Sequence, residues 1–215
     1  MRRLVLPRLY VILDASLLKE SETECAAKLV AAGVRLLQYR NKEASARELL
    51  EKSRAIAELV CPQGVMFFVN DRPDVAYLAG ADGVHVGQHD LGADAARMVI
   101  GKDKLVGVST HNLEQFSAAA ATSADYIAVG PVFETRTKAN ADPIVGVELV
   151  RRARTMTDTP IVAIGGITME RAAAVIEAGA DSVAVISGIL SAPNPAQRAR
   201  QYLETLEAAK RAAAV

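Results

Sequence analysis

Apolar residues in this chain come in short unbroken runs. Eight such runs stand at 9–13, 34–39, 65–69, 83–86, 105–108, 126–129, 161–164 and 182–186. A run that does not alternate with polar residues is buried on both faces, the habit of a parallel strand with helices packed outside it. Between the runs the pattern turns helical, over about 20–32, 45–60, 73–79, 92–99, 113–121, 146–156, 169–178 and 196–211. A recurring phrase joins helix to strand: AAGVRLLQ at 31–38, LAGADGVHVG at 78–87, TSADYIAVG at 122–130 and EAGADSVAVIS at 177–187. In each, Gly or Ser-Ala-Asp stops a helix and a short apolar run follows. Glycine adopts the left-handed conformation at a helix C-terminus without penalty.

Alternating β/α units imply parallel pairing and right-handed crossovers. Eight of them predict an α/β fold, a single (β/α)8 TIM barrel domain over 1–215. An open doubly wound sheet is the alternative. The opening MRRLVLPRLYVILD imitates a signal peptide. Pro7 and Arg8 interrupt its apolar stretch and Asp14 ends it, so it is expected to be the first strand.

Composition narrows the function classes. Of 215 residues, 51% are hydrophobic, enough for a sizeable core. Lys+Arg and Asp+Glu both number 25, so no overall basic field draws nucleic acid. Aromatics are only 4%, with no Trp, which removes the usual stacking platforms for single strands. No apolar run approaches the ~20 residues of a membrane span. Cys25 and Cys61 have no metal or disulfide spacing and read as packed thiols in a reducing compartment. A cytoplasmic protein with no nucleic-acid or membrane partner is expected. Its alanine-rich outer helices leave room for a homo-oligomer.

In such a barrel the active site lies just beyond the C-terminal ends of the strands. The second run ends Gln38-Tyr39-Arg40-Asn41-Lys42. Residues two apart in extended chain share a face, so Gln38, Arg40 and Lys42 point one way, and Tyr39 and Asn41 the other. Two cations and an amide suit a pyrophosphate; a solvated strand end is the plain alternative. Asp71 and Asp90 follow the third and fourth runs. Each alone is readily a helix cap, with Pro73 or Gly92 just beyond. Together, beside an anion-binding set, they resemble a Mg2+ site, because Mg2+ takes one or two protein carboxylates and fills its shell with water and phosphate oxygens.

Ser109 and Thr110 are cap candidates after the fifth run, and Ser109 also suits a phosphate oxygen. The longest loop, 130–142, carries Thr135-Arg136-Thr137-Lys138 and reads as a lid over an anionic ligand. Gly165-Gly166 and Ser187-Gly188 follow the seventh and eighth runs, where this fold recurrently binds phosphate through backbone N–H groups and helix dipoles. The residues thus suggest a pyrophosphate and Mg2+ site over strands two to five and a monophosphate site over strands seven and eight. His85 and His89 do not read as a zinc pair, since a strand and loop do not bring them together. His111 is an acid/base candidate or a packing histidine. Lys42 or Lys138 would serve a Schiff-base aldolase only if desolvated.

These motifs resemble those of the thiamine phosphate synthase family. The resemblance rests on QYRNK at 38–42, ND at 70–71, ADGVHVGQHDL at 81–91, GVSTH at 107–111, GPVFETRTK at 130–138, AIGGIT at 163–168 and VISGI at 185–189. It implies a transferase that joins hydroxymethylpyrimidine diphosphate to a thiazole phosphate, with or without a carboxylate. Thiamine monophosphate and pyrophosphate would form through a Mg2+-assisted dissociative substitution. It assigns Gln38, Arg40, Lys42, Asn70, Ser109 and Lys138 to the pyrimidine diphosphate, and Asp71 and Asp90 to Mg2+. It assigns Thr135, Thr137, Gly166, Ile186 and Ser187 to the thiazole phosphate, with Arg136 flanking. Arg40, Lys42, Ser109 and Lys138 would carry the catalysis. The rivals are a thiazole tautomerase of similar fold, which would need an acid/base residue but not the Mg2+ pair, and a non-catalytic phospho-ligand-binding barrel.

Overall fold

Each apolar run forms one strand. The computed structural model describes residues 4–135 and 142–213. The strands are β1 (Leu9–Asp14), β2 (Leu36–Arg40), β3 (Met66–Asn70), β4 (Gly83–Val86), β5 (Leu105–Thr110), β6 (Tyr126–Val129), β7 (Ile161–Ile164) and β8 (Ser182–Val185). They pair in parallel in sequence order, and β8 returns to β1 to close a barrel. Every residue of β1, β4, β6 and β8 is buried, as two-sided burial requires.

The helices lie outside: α1 (Glu22–Ala31), α2 (Ala46–Val60), α3 (Pro73–Leu78), α4 (Ala93–Ile100), α5 (Leu113–Ala120), α6 (Gly146–Arg154), α7 (Met169–Glu177), α8 (Ser187–Leu190) and α9 (Pro195–Ala213). Local chemistry explains their starts. Ser21 and Glu24 form a reciprocal capping box on α1, and Asn112 accepts from the Gln115 N–H at the start of α5. Four-residue α8 was not anticipated, because Ser187-Gly188 reads as a loop. The expected open-sheet alternative is excluded by the closed order. Among the described residues no helix is long and apolar enough to cross a membrane.

The core has two layers. One lies between strands and helices; the other fills the barrel with Leu6, Tyr10, Ile12, Leu36, Phe68, Tyr126, Ala128, Val162 and Ala184. A strand's two-residue period carries each inward column up to the mouth: Tyr10-Ile12-Asp14, Leu36-Gln38-Arg40, Phe68-Asn70 and Gly107-Ser109.

The recurring Ala-Asp phrase does more than stop a helix. Asp82, Asp125 and Asp181 stand just before β4, β6 and β8, and each clasps the preceding strand at the barrel floor. Their N–H groups donate to the carbonyls of Phe67, Val106 and Ile161 at 2.8 Å each. Their carboxylates accept the N–H groups of those same residues at 2.9, 2.7 and 2.8 Å. Arg97 pairs with Asp125, and Arg154 with Asp181.

Candidate active site

The mouth over β1 to β4 is a set of paired charges. Arg40 ends β2 and donates to Asp14 at the end of β1. Asp14 is only 2% exposed, and it also accepts from the Ser16 N–H at 3.1 Å and its hydroxyl at 2.6 Å. Lys42, two residues beyond Arg40, donates to Asp71. Tyr39 and Asn41 turn away, as the alternation predicts. The Tyr39 hydroxyl donates to Glu22 at 3.1 Å, and Asn41 Oδ1 accepts the N–H groups of Glu43 and Ala44 at 3.1 Å each.

Asp71 sits at φ 65°, the only non-glycine at positive φ among the described residues. Aspartate and asparagine tolerate this left-handed backbone better than other side chains do. The turn faces Asp71 toward Asp90. Burial, and then the Asp90 carboxylate, push the Asp71 carboxyl above the ordinary aspartate range, while Lys42 pulls it down. The cap alternatives do not hold. The N-cap of α3 is Arg72 and that of α4 is Gly92, and neither helix receives a side-chain cap bond. Asp90 instead accepts from the Gly87 N–H at 2.8 Å. Ser109 and Thr110 cap nothing either: α5 is capped by Asn112, and Thr110 donates to the Ala128 carbonyl at 2.9 Å.

Across the mouth, β5 to β8 enclose a cavity of about 220 Å³. Of the residues the family resemblance assigns, Ser109, Thr135, Gly166, Ile186 and Ser187 line it. His111 lines it too, with Nδ1 2.6 Å from the Gly130 carbonyl and Nε2 3.3 Å from Asp142. Asn70 ends β3 beside His85 of β4. Arg136, Thr137 and Lys138 fall outside the described residues. The structure therefore separates a charged half, over β1 to β4, from a concave half over β5 to β8.

Gln38 lies deeper than the other two members of its face. It is 2% exposed, and its Nε2 donates to the Tyr10 hydroxyl at 2.9 Å inside the barrel.

The sequence profile described as thiamine monophosphate synthase matches residues 9–189. The chain belongs to the thiamine monophosphate synthase family. A thiamine-phosphate synthase of Koribacter versatilis is 49% identical over 208 residues, covering 94% of this chain and 97% of its own length. One of Chloroflexus aurantiacus is 44% identical over 195 residues, 90% of each chain. Among solved structures, a thiamine phosphate pyrophosphorylase of Pyrococcus furiosus superposes with a TM-score of 0.85 at 33% identity, covering 94% of this chain and 96% of that one. The protein's activity is thiamine-phosphate synthesis, a transferase reaction of thiamine biosynthesis. The isomerase and non-catalytic alternatives are set aside on these relatives.

Within this thiamine monophosphate synthase fold, several residues had no signal in the sequence. Asp14 reads as the polar end of an apolar run, yet it holds Arg40. Arg171 falls in the helical stretch 169–178 with no role assigned to it. It lines the cavity, donates to the Gly166 carbonyl at 3.1 Å and lies over the Phe133 ring at 4.6 Å. Tyr10, Tyr126 and His85 read as core, yet their polar atoms form one chain. Tyr10 and Tyr126 hydroxyls are 3.1 Å apart, Tyr126 is 2.9 Å from His85 Nδ1, and His85 Nε2 is 2.8 Å from the Ser109 hydroxyl. Both His85 nitrogens are thus engaged by protein, which disposes of a zinc pair with His89. No group of three or more His, Cys, Asp or Glu suited to a metal occurs among the described residues. Cys25 and Cys61 are free, and burial pushes each thiol up to about 11, which keeps them protonated and inert.

Proposed function

We propose that this synthase joins hydroxymethylpyrimidine diphosphate to a thiazole phosphate, carboxylated or not, by a dissociative substitution. The observation that carries the reading is the convergence of Asp71 and Asp90 beside Lys42, facing a separate cavity across the mouth. A carboxylate whose charge is disfavoured by a second carboxylate beside it is suited to a divalent cation, so Asp71 and Asp90 are the residues that would hold Mg2+. Bound there, Mg2+ would offset negative charge gathering on the departing pyrophosphate.

The chain's own residues would do the rest. Arg40 presents a planar fork and Lys42 a point charge to the diphosphate. Asp14 holds the Arg40 fork in place, so the cation is oriented before the substrate arrives. The Ser109 hydroxyl donates to a diphosphate oxygen, and Asn70 positions the pyrimidine. As the carbon–oxygen bond breaks, the pyrimidine methylene becomes cationic, and the thiazole nitrogen attacks that carbon; a thiazole that carries the carboxylate loses it as CO2. The thiazole would be held in the cavity by Thr135, Gly166, Ile186 and Ser187, so attack occurs between two fixed partners. Arg136, Thr137 and Lys138 enter this reading from the family resemblance alone.

The test is direct. Purified protein with Mg2+ and both substrates should form thiamine monophosphate and pyrophosphate, followed by mass. No product under these conditions overturns the reading.

A further inference from the structure

Five polar side chains from five strands form an unbroken path through the barrel interior. It runs from Gln38 on β2 to Tyr10 on β1, Tyr126 on β6, His85 on β4 and Ser109 on β5. The successive distances are 2.9, 3.1, 2.9 and 2.8 Å. We propose that this path is a one-way hydrogen-bond chain that fixes the His85 tautomer and so aims the Ser109 hydroxyl proton into the site. Gln38, Tyr10, Tyr126 and His85 are then positioning residues acting through Ser109. The inference rests on the reading of Ser109 as a donor to the diphosphate.

Proton counting sets the direction. Gln38 Nε2 has hydrogens only to give, so Tyr10 oxygen accepts there. Tyr10 has one proton left and, in a sealed interior, one acceptor for it, Tyr126. In the reverse direction Tyr126 would donate to Tyr10, and the Tyr10 proton would be stranded at a residue only 1% exposed. Tyr126 accepts from Tyr10 and passes its own proton to His85 Nδ1. That nitrogen is then the acceptor, so Nε2 carries the hydrogen and gives it to Ser109 oxygen. Ser109 has one proton remaining, which this chain leaves for a ligand at the mouth, where Ser109 forms part of the cavity wall.

The surroundings keep the path rigid. Burial raises both phenols far above neutral pH, so neither proton is lost. The His85 ring stacks on Tyr126 at 5.5 Å and 24°, and Phe68 meets Tyr126 edge-on at 5.5 Å. Gly107 leaves the space the Tyr126 ring occupies: a Cβ there would come within 2.0 Å of Tyr126 Cζ.

The test pairs nitrogen-15 NMR of the histidines with steady-state kinetics in wild type, Tyr126→Phe and Tyr10→Phe. Wild-type His85 should show the neutral Nε2–H form. Tyr126→Phe removes the hydroxyl that donates to Nδ1, lets Ser109 donate to the ring, and should give a mixed tautomer. Its kcat should fall roughly tenfold to a hundredfold, with KM for the diphosphate changing far less. Tyr10→Phe leaves Tyr126 able to donate to His85, so the tautomer should persist and kcat fall less. A purely structural role would lower Tm alike in both variants and leave tautomer and kcat unmoved, which overturns the proposal. Nδ1–H in wild type overturns it without any variant, even if Tyr126→Phe does not fold. The NMR arm needs no substrate, so wild type that makes no thiamine phosphate would sink the functional reading, while the His85 tautomer still decides the direction of the chain.

Discussion

At the floor of the barrel, Asp82, Asp125 and Asp181 grip backbone on the neighbouring strand. At the mouth, Asp14, Asp71 and Asp90 reach only local backbone and otherwise face side chains. Each floor carboxylate closes a two-bond ring with a residue 15, 19 or 20 positions away. In the mouth pairs Lys42–Asp71 and Arg40–Asp14, every group but Asp14 has a second proposed employment, in the metal or the diphosphate. The same residue type thus fastens the strands at one end and holds movable charge at the other. Asp14 is intermediate, since it also caps the 3-10 turn at Ala15–Leu17.

Activity and stability should separate between the two ends. The largest effect expected is at the mouth. Asp71→Asn keeps a side chain that tolerates the left-handed turn and removes the charge. It and Asp90→Ala should each lower kcat/KM about a hundredfold or more, with partial rescue by excess Mg2+ and an almost unchanged Tm. A large drop in Tm with near-normal turnover would place these residues with the floor. Asp125→Ala should do the converse. It strands the Val106 N–H and removes the Arg97 ion pair, although Arg97 keeps the Gly101, Lys104 and Ser123 carbonyls, a loss of about 1–3 kcal/mol. At about 2–4 °C per kcal/mol for a chain this size, a thermal melt should register it clearly, while turnover stays within about twofold.

The two ends should also differ, more faintly, in their response to pH. Because the Asp71 carboxyl is raised, its contribution favours the fold below the ordinary aspartate pKa and is lost as pH rises through the raised value. A divalent cation relieves that loss, whereas protons compete with it. Mg2+ should therefore raise Tm near pH 7.5 and do so less near about pH 4.5. Asp125→Ala should keep this Mg2+ response and Asp71→Asn should lose it. Equal Mg2+ shifts at both pH values would remove Asp71 from the metal site.

The fold was legible because its signals are local. Unbroken apolar runs and glycine stops need only a few neighbouring residues. Gly33, Gly80 and Gly179 do take positive φ after α1, α3 and α7. The charged mouth was legible in part, since the two-residue period puts Arg40 and Lys42 on one face and Asp71 and Asp90 each follow a strand. The rest depends on which columns meet across the barrel. Tyr10 and Tyr126 are 116 residues apart, and each sits in an apolar run where a phenol reads as packing. The floor clasps hid behind a correct but incomplete reading of Ala-Asp as a helix stop. No local pattern says that an aspartate before one strand will take the N–H of another.

The missing side chain at Gly107 has a consequence in descent. Its space is filled by a ring from the next strand, so the two positions are not free to drift separately. Any side chain at 107 evicts the phenol at 126, and with it the link to His85. A lineage that abandons the chain can fill the space with small steps at both sites. One that keeps it must hold a glycine and a tyrosine together, a covariation that neither residue's own neighbourhood in sequence would explain.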